Sequence, residues 1–285
     1  KNEIPFWYLF KYTDITLIIS DLDFLIGLLT GKKRLLKKSD APELVGFYSI
    51  SGGAGKTVIS LSTARELARY REKKVLYLSF EELPSIELLI KNHSQNRNIG
   101  DYLYYLFEKK NDNLCSRLES FIFSDEFGVE TFAPTGGRND MSELTQEETV
   151  QFFKVISDSC RYDYVVLDLK SDLSEPTLFL MNLCGRIVLI ENDDPISRFK
   201  SRKLATYLGG ADSLQSGGRY IAVVNQTKGA GMAPEESGAQ GQGQPDQIFL
   251  EKDENSFQFG WDHLSVGIEH AFGIGIKRIA DRILL

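Results

Sequence analysis

Residues 44–57 limit what this chain can fold into more than any other stretch, because an apolar run closes on three glycines, a lysine and a threonine. Leu44 to Ile50 is apolar apart from Gly46 and Ser49, which predicts a buried strand over about 45–50. Val58, Leu61, Ala64 and Ala68 then recur near the 3.6-residue period and predict a helix with one apolar face. Between strand and helix runs Ser51-Gly52-Gly53-Ala54-Gly55-Lys56-Thr57. Glycines there let successive backbone N–H groups turn inward toward an anion. The helix N-terminus adds its dipole and free donors, Lys56 adds a positive charge, and the Thr57 hydroxyl can hold Mg²⁺. The plain alternative is a glycine-rich turn with an incidental Gly-Lys-Thr. The flanking strand and amphipathic helix favour a phosphate-binding loop.

Beyond Leu44, apolar runs alternate with helical patterns, the signature of βαβ units. The predicted fold is α/β: a doubly wound, mostly parallel sheet flanked by helices. Strands are expected at about 45–50, 75–80, 129–133, 163–168, 187–191, 219–225 and 247–251. A helix over about 145–160 opens on Thr145 and Glu148, the two ends of a capping box, and carries Phe152, Phe153, Ile156 and Cys160 on its apolar side. Asp101 reads as an N-cap. The 285 residues divide into a domain over 44–285 and an appendage over 1–43. In the appendage, Phe6–Phe10 reads as a strand, and a helix capped at Thr13 or Asp14 would bury Ile15 to Leu29. That is the form of a remnant of a receiver-like domain. Lys32, Lys33, Arg34, Lys37 and Lys38 follow, either as a solvated linker or as a contact for a partner or an acidic lipid headgroup. Gly229 to Asp246 is rich in Gly and Gln without an aromatic, and reads as a flexible surface loop.

The formal net charge of −7 argues against a broad nucleic-acid-binding face. Cys115, Cys160 and Cys184 lie far apart among apolar residues, as reduced cytoplasmic thiols packed as small hydrophobes do. His93, His263 and His270 show no ligand spacing. The window Ile15 to Leu29 holds Asp21 and Asp23 and is too short to span a bilayer, and Lys1 to Phe10 does not read as a signal peptide. The chain begins without Met, as a trimmed chain would.

The doubled glycine Gly52-Gly53 resembles the deviant Walker A loop of the MinD/ParA family, whose pattern is Lys-Gly-Gly-x-Gly-Lys-Thr/Ser. The resemblance covers roughly residues 44–285. It implies ATP or ADP held by Gly52, Gly53, Ala54, Gly55, Lys56, Thr57 and Val58, with Mg²⁺, and a homodimer with nucleotide sandwiched between subunits. In that family the first lysine reaches across to the partner's phosphates; here the position is Ser51. The run Tyr162 to Asp168 has the form of a Walker B strand, which implies that Asp168 holds Mg²⁺ through water. A solvated acid at a strand end is the plainer reading. Leu169 and Lys170 then replace the family's usual continuation. Val75 to Glu81 ends where the family places Asp-x-Asp, so Ser79 stands for the first acid and Glu81 for the acid that orients water. Glu82 is the alternative, as is a structural role for either. Arg219 to Asn225 ends in Asn where the family reads adenine; a turn-forming Asn is the other reading. Ser197, Arg198, Lys200, Arg202 and Lys203 read as surface positions on a helix near the family's dimer face. Residues 273–285 form an amphipathic basic stretch. It reads either as a membrane-seated helix or as the helix that closes the core through Ile276, Ile279 and Ile283.

Within the family the similarity is greatest to the CpaE/TadZ group, atypical ATPases that place pilus-secretion machinery at cell poles. The receiver-like remnant, the missing signature lysine and Phe132-Ala133-Pro134 leading to Asp140–Thr145 carry it. The expectation is an ATP-binding, Mg²⁺-dependent dimerising switch that localises a partner, with slow or absent hydrolysis. The alternatives are a scaffold that keeps nucleotide as a structural ligand and a tyrosine-kinase-like module. The last is disfavoured by a C-terminus without a tyrosine cluster.

Overall fold

The computed structural model describes residues 41–90, 97–108, 118–133, 136–208, 218–227, 247–261 and 263–285. The appendage before residue 41 with its basic run 32–38, His93, Cys115 and the 229–246 segment lie outside the described residues.

Eight strands form one sheet: β1 (Glu43–Tyr48), β2 (Val75–Ser79), β3 (Ile122–Ser124), β4 (Val129–Phe132), β5 (Tyr164–Asp168), β6 (Arg186–Asn192), β7 (Tyr220–Thr227) and β8 (Ile248–Glu251). Their spatial order is β3-β4-β2-β5-β1-β6-β7-β8. All neighbours run parallel except β3, which folds back antiparallel on β4. A separate hairpin pairs β9 (Phe257–Phe259) with β10 (Leu264–Val266). The helices are α1 (Lys56–Arg65), α2 (Ile99–Glu108), α3 (Gln146–Asp158), α4 (Glu175–Leu183), α5 (Pro195–Tyr207) and α6 (Ala271–Leu284).

Strands buried on both faces alternate their side chains between two cores. In β2, Val75 and Tyr77 join a core with α1 and α6, whereas Leu76 and Leu78 face α2 and α3. The expected parallel α/β sheet is the one observed. The seven expected strands are present, and β3, β9 and β10 are additions too short for periodicity to reveal.

Local details depart from the sequence reading. The first strand stops at Tyr48, not Ile50, because the Ser49 hydroxyl donates to the Ser51 carbonyl at 3.0 Å and turns the chain out of the ladder. Helix α1 has no single apolar face. Ile59, Leu61 and Ala64 are buried, and so are Lys56, Ser60, Ser62, Thr63 and Arg65, because the helix is enclosed between the sheet and neighbouring elements. Arg65 survives there by donating from Nε to Asp125 at 2.8 Å and from its other end to the Leu89 carbonyl. The helix then widens into a π turn over Glu66–Tyr70.

Helix α3 opens on the expected Thr145–Glu148 capping box, but Cys160 lies past its end and is exposed; Cys184 is buried. In α2 the cap is Asn98, whose side chain accepts from Asp101 N while Asp101 accepts from Asn98 N, both at 3.0 Å.

Helix α6 closes the core, with Ile276, Ile279 and Ile283 at 0% exposure against β8 and α1. Its approach depends on Gly275, where a Cβ would fall 2.1 Å from Leu250 Cδ2. Among the described residues no helix is long and apolar enough to cross a membrane.

Candidate functional site

In an open parallel sheet the carboxyl ends of the central strands form the ligand crevice. Strands β2, β5 and β1 are adjacent, so their ends bring Glu81, Asp168 and the 49–55 loop together at that edge. The loop owes its path to two left-handed glycines, Gly53 (φ 72°) and Gly55 (φ 79°), a region that L side chains avoid. Gly55 is the residue before the first turn of α1, and no side chain caps that end. The first-turn N–H groups of α1 are therefore available to a ligand.

Four side chains converge there. Lys56 Nζ donates to Asp168 Oδ1 at 2.8 Å and to Glu81 Oε1 at 2.5 Å. Thr57 Oγ1 donates to Asp168 Oδ2, also at 2.8 Å. Lys56 is 5% exposed and Asp168 fully buried, whereas Glu81 is 29% exposed. Burial alone would lower the Lys56 ammonium. The Asp168 and Glu81 carboxylates outweigh it and hold Lys56 above its ordinary value. Burial pushes the Asp168 carboxyl up, against the opposing pull of Lys56 and Thr57. The site is a cluster of one cation and two acids, with Lys56 and Asp168 out of water and Glu81 at its edge.

The loop fits an anion and a divalent cation. Ser51 Oγ is buried without a hydrogen-bond partner among the described residues, and space is open around Gly52 and Gly53, where an added Cβ would meet nothing within 4 Å. One hydroxyl and one carboxylate, Thr57 and Asp168, make the sparse donor set that Mg²⁺ takes together with phosphate oxygens.

Asn225 stands at 8% exposure in β7, two residues before the strand's end, where Nδ2 donates to the Ala54 carbonyl at 3.0 Å and Oδ1 accepts from Gln226 N at 2.9 Å. It therefore ties β7 to the phosphate loop, and a Cβ on Gly55 would come within 2.7 Å of Nδ2. Each amide end keeps one further valence. Next to it opens a cavity of about 590 Å³ walled by Val58, Ile59, Phe257, Leu264 and Phe272, with Asn225 among its lining.

Ser79 and Glu82 stand apart from the metal-type cluster. Ser79 Oγ accepts from Glu81 N at 3.4 Å, and Glu82 pairs with Lys170 at 3.2 Å and with Arg138 at 3.5 Å. Those cations hold the Glu82 carboxyl below its usual range. Arg198, Lys200, Arg202 and Lys203 are exposed on α5, whereas Ser197 is buried and its Oγ accepts from Asn192 N at 2.9 Å.

Tyr77 is the site residue that sequence reasoning missed. Its hydroxyl donates to Asp168 Oδ2 at 3.2 Å and lies 3.2 Å from Ser60 Oγ. The only signal was a tyrosine inside an otherwise apolar strand. The hairpin walls Phe257 and Leu264 gave none.

No protein-family model and no curated protein matches the chain. Solved structures do. A ParA family ATPase from Chlorobium tepidum TLS superposes with a TM-score of 0.55 at 14% identity, covering 85% of this chain and 93% of that one. A plasmid partition protein from Borrelia burgdorferi B31 bound to AMPPNP gives 0.54 at 13% identity, with 86% and 98% covered. The septum site-determining protein MinD from Pyrococcus horikoshii OT3, complexed with Mg-ADP, gives 0.53 at 14% identity, with 85% and 96% covered. At these identities the likeness is one of architecture: the chain has the mostly parallel, helix-flanked sheet of the ParA/MinD P-loop ATPases.

Proposed function

We propose that this chain binds ATP with Mg²⁺ at the 51–57 loop and works as a nucleotide-dependent switch of the MinD/ParA kind. The observation that carries the reading is the convergence of Lys56, Thr57, Glu81 and Asp168 around an uncapped helix N-terminus. Structural neighbours with this fold are ParA and MinD ATPases, one solved with AMPPNP and one with Mg-ADP. Gly52 to Val58 receive the phosphates. Lys56 transfers its charge from the two carboxylates to the β- and γ-phosphates, and Thr57 and Asp168 hold Mg²⁺, which neutralises phosphate charge when bound. The base enters the cavity beside Asn225. Glu81, released by Lys56 and partly exposed, is the group that accepts a hydrogen bond from an attacking water.

The same reading takes the chain as a homodimer with nucleotide between subunits, whose output is recruitment of a pilus or secretion machinery to a cell location. The sequence likeness to the CpaE/TadZ group supports that output. Membrane contact through 273–285 is the weaker part, since the apolar stripe of α6 is spent in the core.

The scaffold reading, in which nucleotide stays bound without turnover, has Ser51 in its favour: no ammonium stands at the signature position. Equilibrium ATP binding with and without Mg²⁺, beside steady-state phosphate release, separates the readings. Lys56→Ala removes a charge-assisted contact and should weaken ATP binding about 10–100-fold. Wild type that binds ATP but releases phosphate no faster than Lys56→Ala is a scaffold. Wild type that binds no ATP ends both readings.

A further inference from the structure

Tyr77 is 0% exposed in the middle of β2, between Leu76 and Leu78, and its ring points into the core beneath α1. A phenylalanine would satisfy that packing, so the hydroxyl needs a separate account. Two acceptors lie 3.2 Å from it, Asp168 Oδ2 and Ser60 Oγ, the latter donating its own proton to the Thr57 carbonyl at 3.0 Å. The ionised carboxylate is the stronger acceptor, and Tyr77 donates to Asp168 Oδ2. Among the described residues Asp168 therefore has three side-chain donors: Lys56 on Oδ1, and Thr57 and Tyr77 on Oδ2. Two of the three sit on the phosphate loop and helix and serve the ligand in the reading above. Tyr77 approaches from the sheet and is fully buried.

We propose that Tyr77 is the positioning residue of the Asp168 carboxylate: its hydroxyl fixes the rotation of that group, so that Asp168 remains aimed at the Thr57 hydroxyl when Lys56 turns to a phosphate. The inference rests on Asp168 as the Mg²⁺ carboxylate. Partners that orient a metal-holding carboxylate act on metal affinity without touching the metal.

Tyr77→Phe keeps the ring and removes the donor. Nucleotide binding is titrated with Mg²⁺, and Mn²⁺ uptake is followed by electron paramagnetic resonance in the presence of ATP. Tyr77→Phe should need about tenfold more divalent cation for half-saturation, within the usual range for such partners, while ATP affinity in EDTA stays at the wild-type value. Ser60→Ala, which removes the other acceptor beside the Tyr77 hydroxyl and leaves the bond to the carboxylate, should not weaken cation affinity. Wild-type cation affinity in Tyr77→Phe overturns the proposal, and so does an equal loss of ATP affinity in EDTA, which marks a packing role. A wild-type protein that binds ATP with no dependence on divalent cation, and takes up no Mn²⁺, removes Asp168 as a metal carboxylate and this role with it.

Discussion

Lys56 is the residue on which the site's electrostatics turn. Its ammonium joins two acids from different strands, and one of them, Asp168, is fully out of water. Removing one partner of such a buried pair strands the other charge. Lys56→Met is therefore expected to cost about 3–5 kcal/mol in chemical denaturation. Adding Asp168→Asn should recover part of that loss; a fully additive double variant would mean the two groups do not interact. Gly55→Ala tests the loop's backbone instead. Placing an L side chain at φ 79° costs about 1–2 kcal/mol. The new methyl also meets the Asn225 amide, so the nucleotide binding proposed above should weaken together with stability. These loop residues were legible in the sequence because their chemistry is local: glycines, lysine and threonine act in consecutive order. Tyr77 was not, because its contact with Asp168 arises only when β2 and β5 lie side by side and Ser79 comes opposite Asp168.

At the scale of elements, two helices are shaped by groups that a pattern of apolar residues does not record. The π turn after α1 buries Glu66, with Oε2 unpartnered among the described residues and Arg71 3.5 Å from the other oxygen. Burial raises the Glu66 carboxyl against the pull of Arg71. A folded-state value above the unfolded one gives stability that is full at pH below the unfolded value and is lost as pH rises through the folded one. Denaturant midpoints of wild type should therefore fall from pH 4 toward neutrality more steeply than those of Glu66→Gln; parallel curves would refute this. In α6 the close approach runs through two glycines. A Cβ at Gly273 would lie 1.8 Å from the Ile268 backbone oxygen, whereas at Gly275 it first meets the flexible tip of Leu250. Gly273→Ala should thus destabilise more than Gly275→Ala, with overpacking costs of about 1–3 kcal/mol as the scale. Calorimetric midpoints give the order. The periodicity of Ile276, Ile279 and Ile283 announced this helix, but not the close contacts that its glycines permit.

For the whole molecule, the alternation of runs was enough to expect a parallel α/β sheet, since only that arrangement buries so many two-faced apolar strands. The order of strands was not written locally. That β5 lies between β1 and β2, and so delivers Asp168 to Lys56, is a property of crossovers spanning many tens of residues. Ile279→Ala should cost about 2–5 kcal/mol because the side chain is fully enclosed between α1 and the sheet. A smaller loss would indicate that α6 detaches readily.

Ser51 has one consequence for the arithmetic of mixed assemblies. Lys56, Glu81 and Asp168 all belong to one chain, and Ser51 stands where the MinD/ParA pattern has its first lysine. In the dimer proposed above, each phosphate site then draws its ammonium from its own chain. When wild-type and Lys56→Ala chains are blended in varying ratio, bound nucleotide should decline in a straight line with the altered fraction. A curve sagging below that line would reveal a charge borrowed from the other subunit.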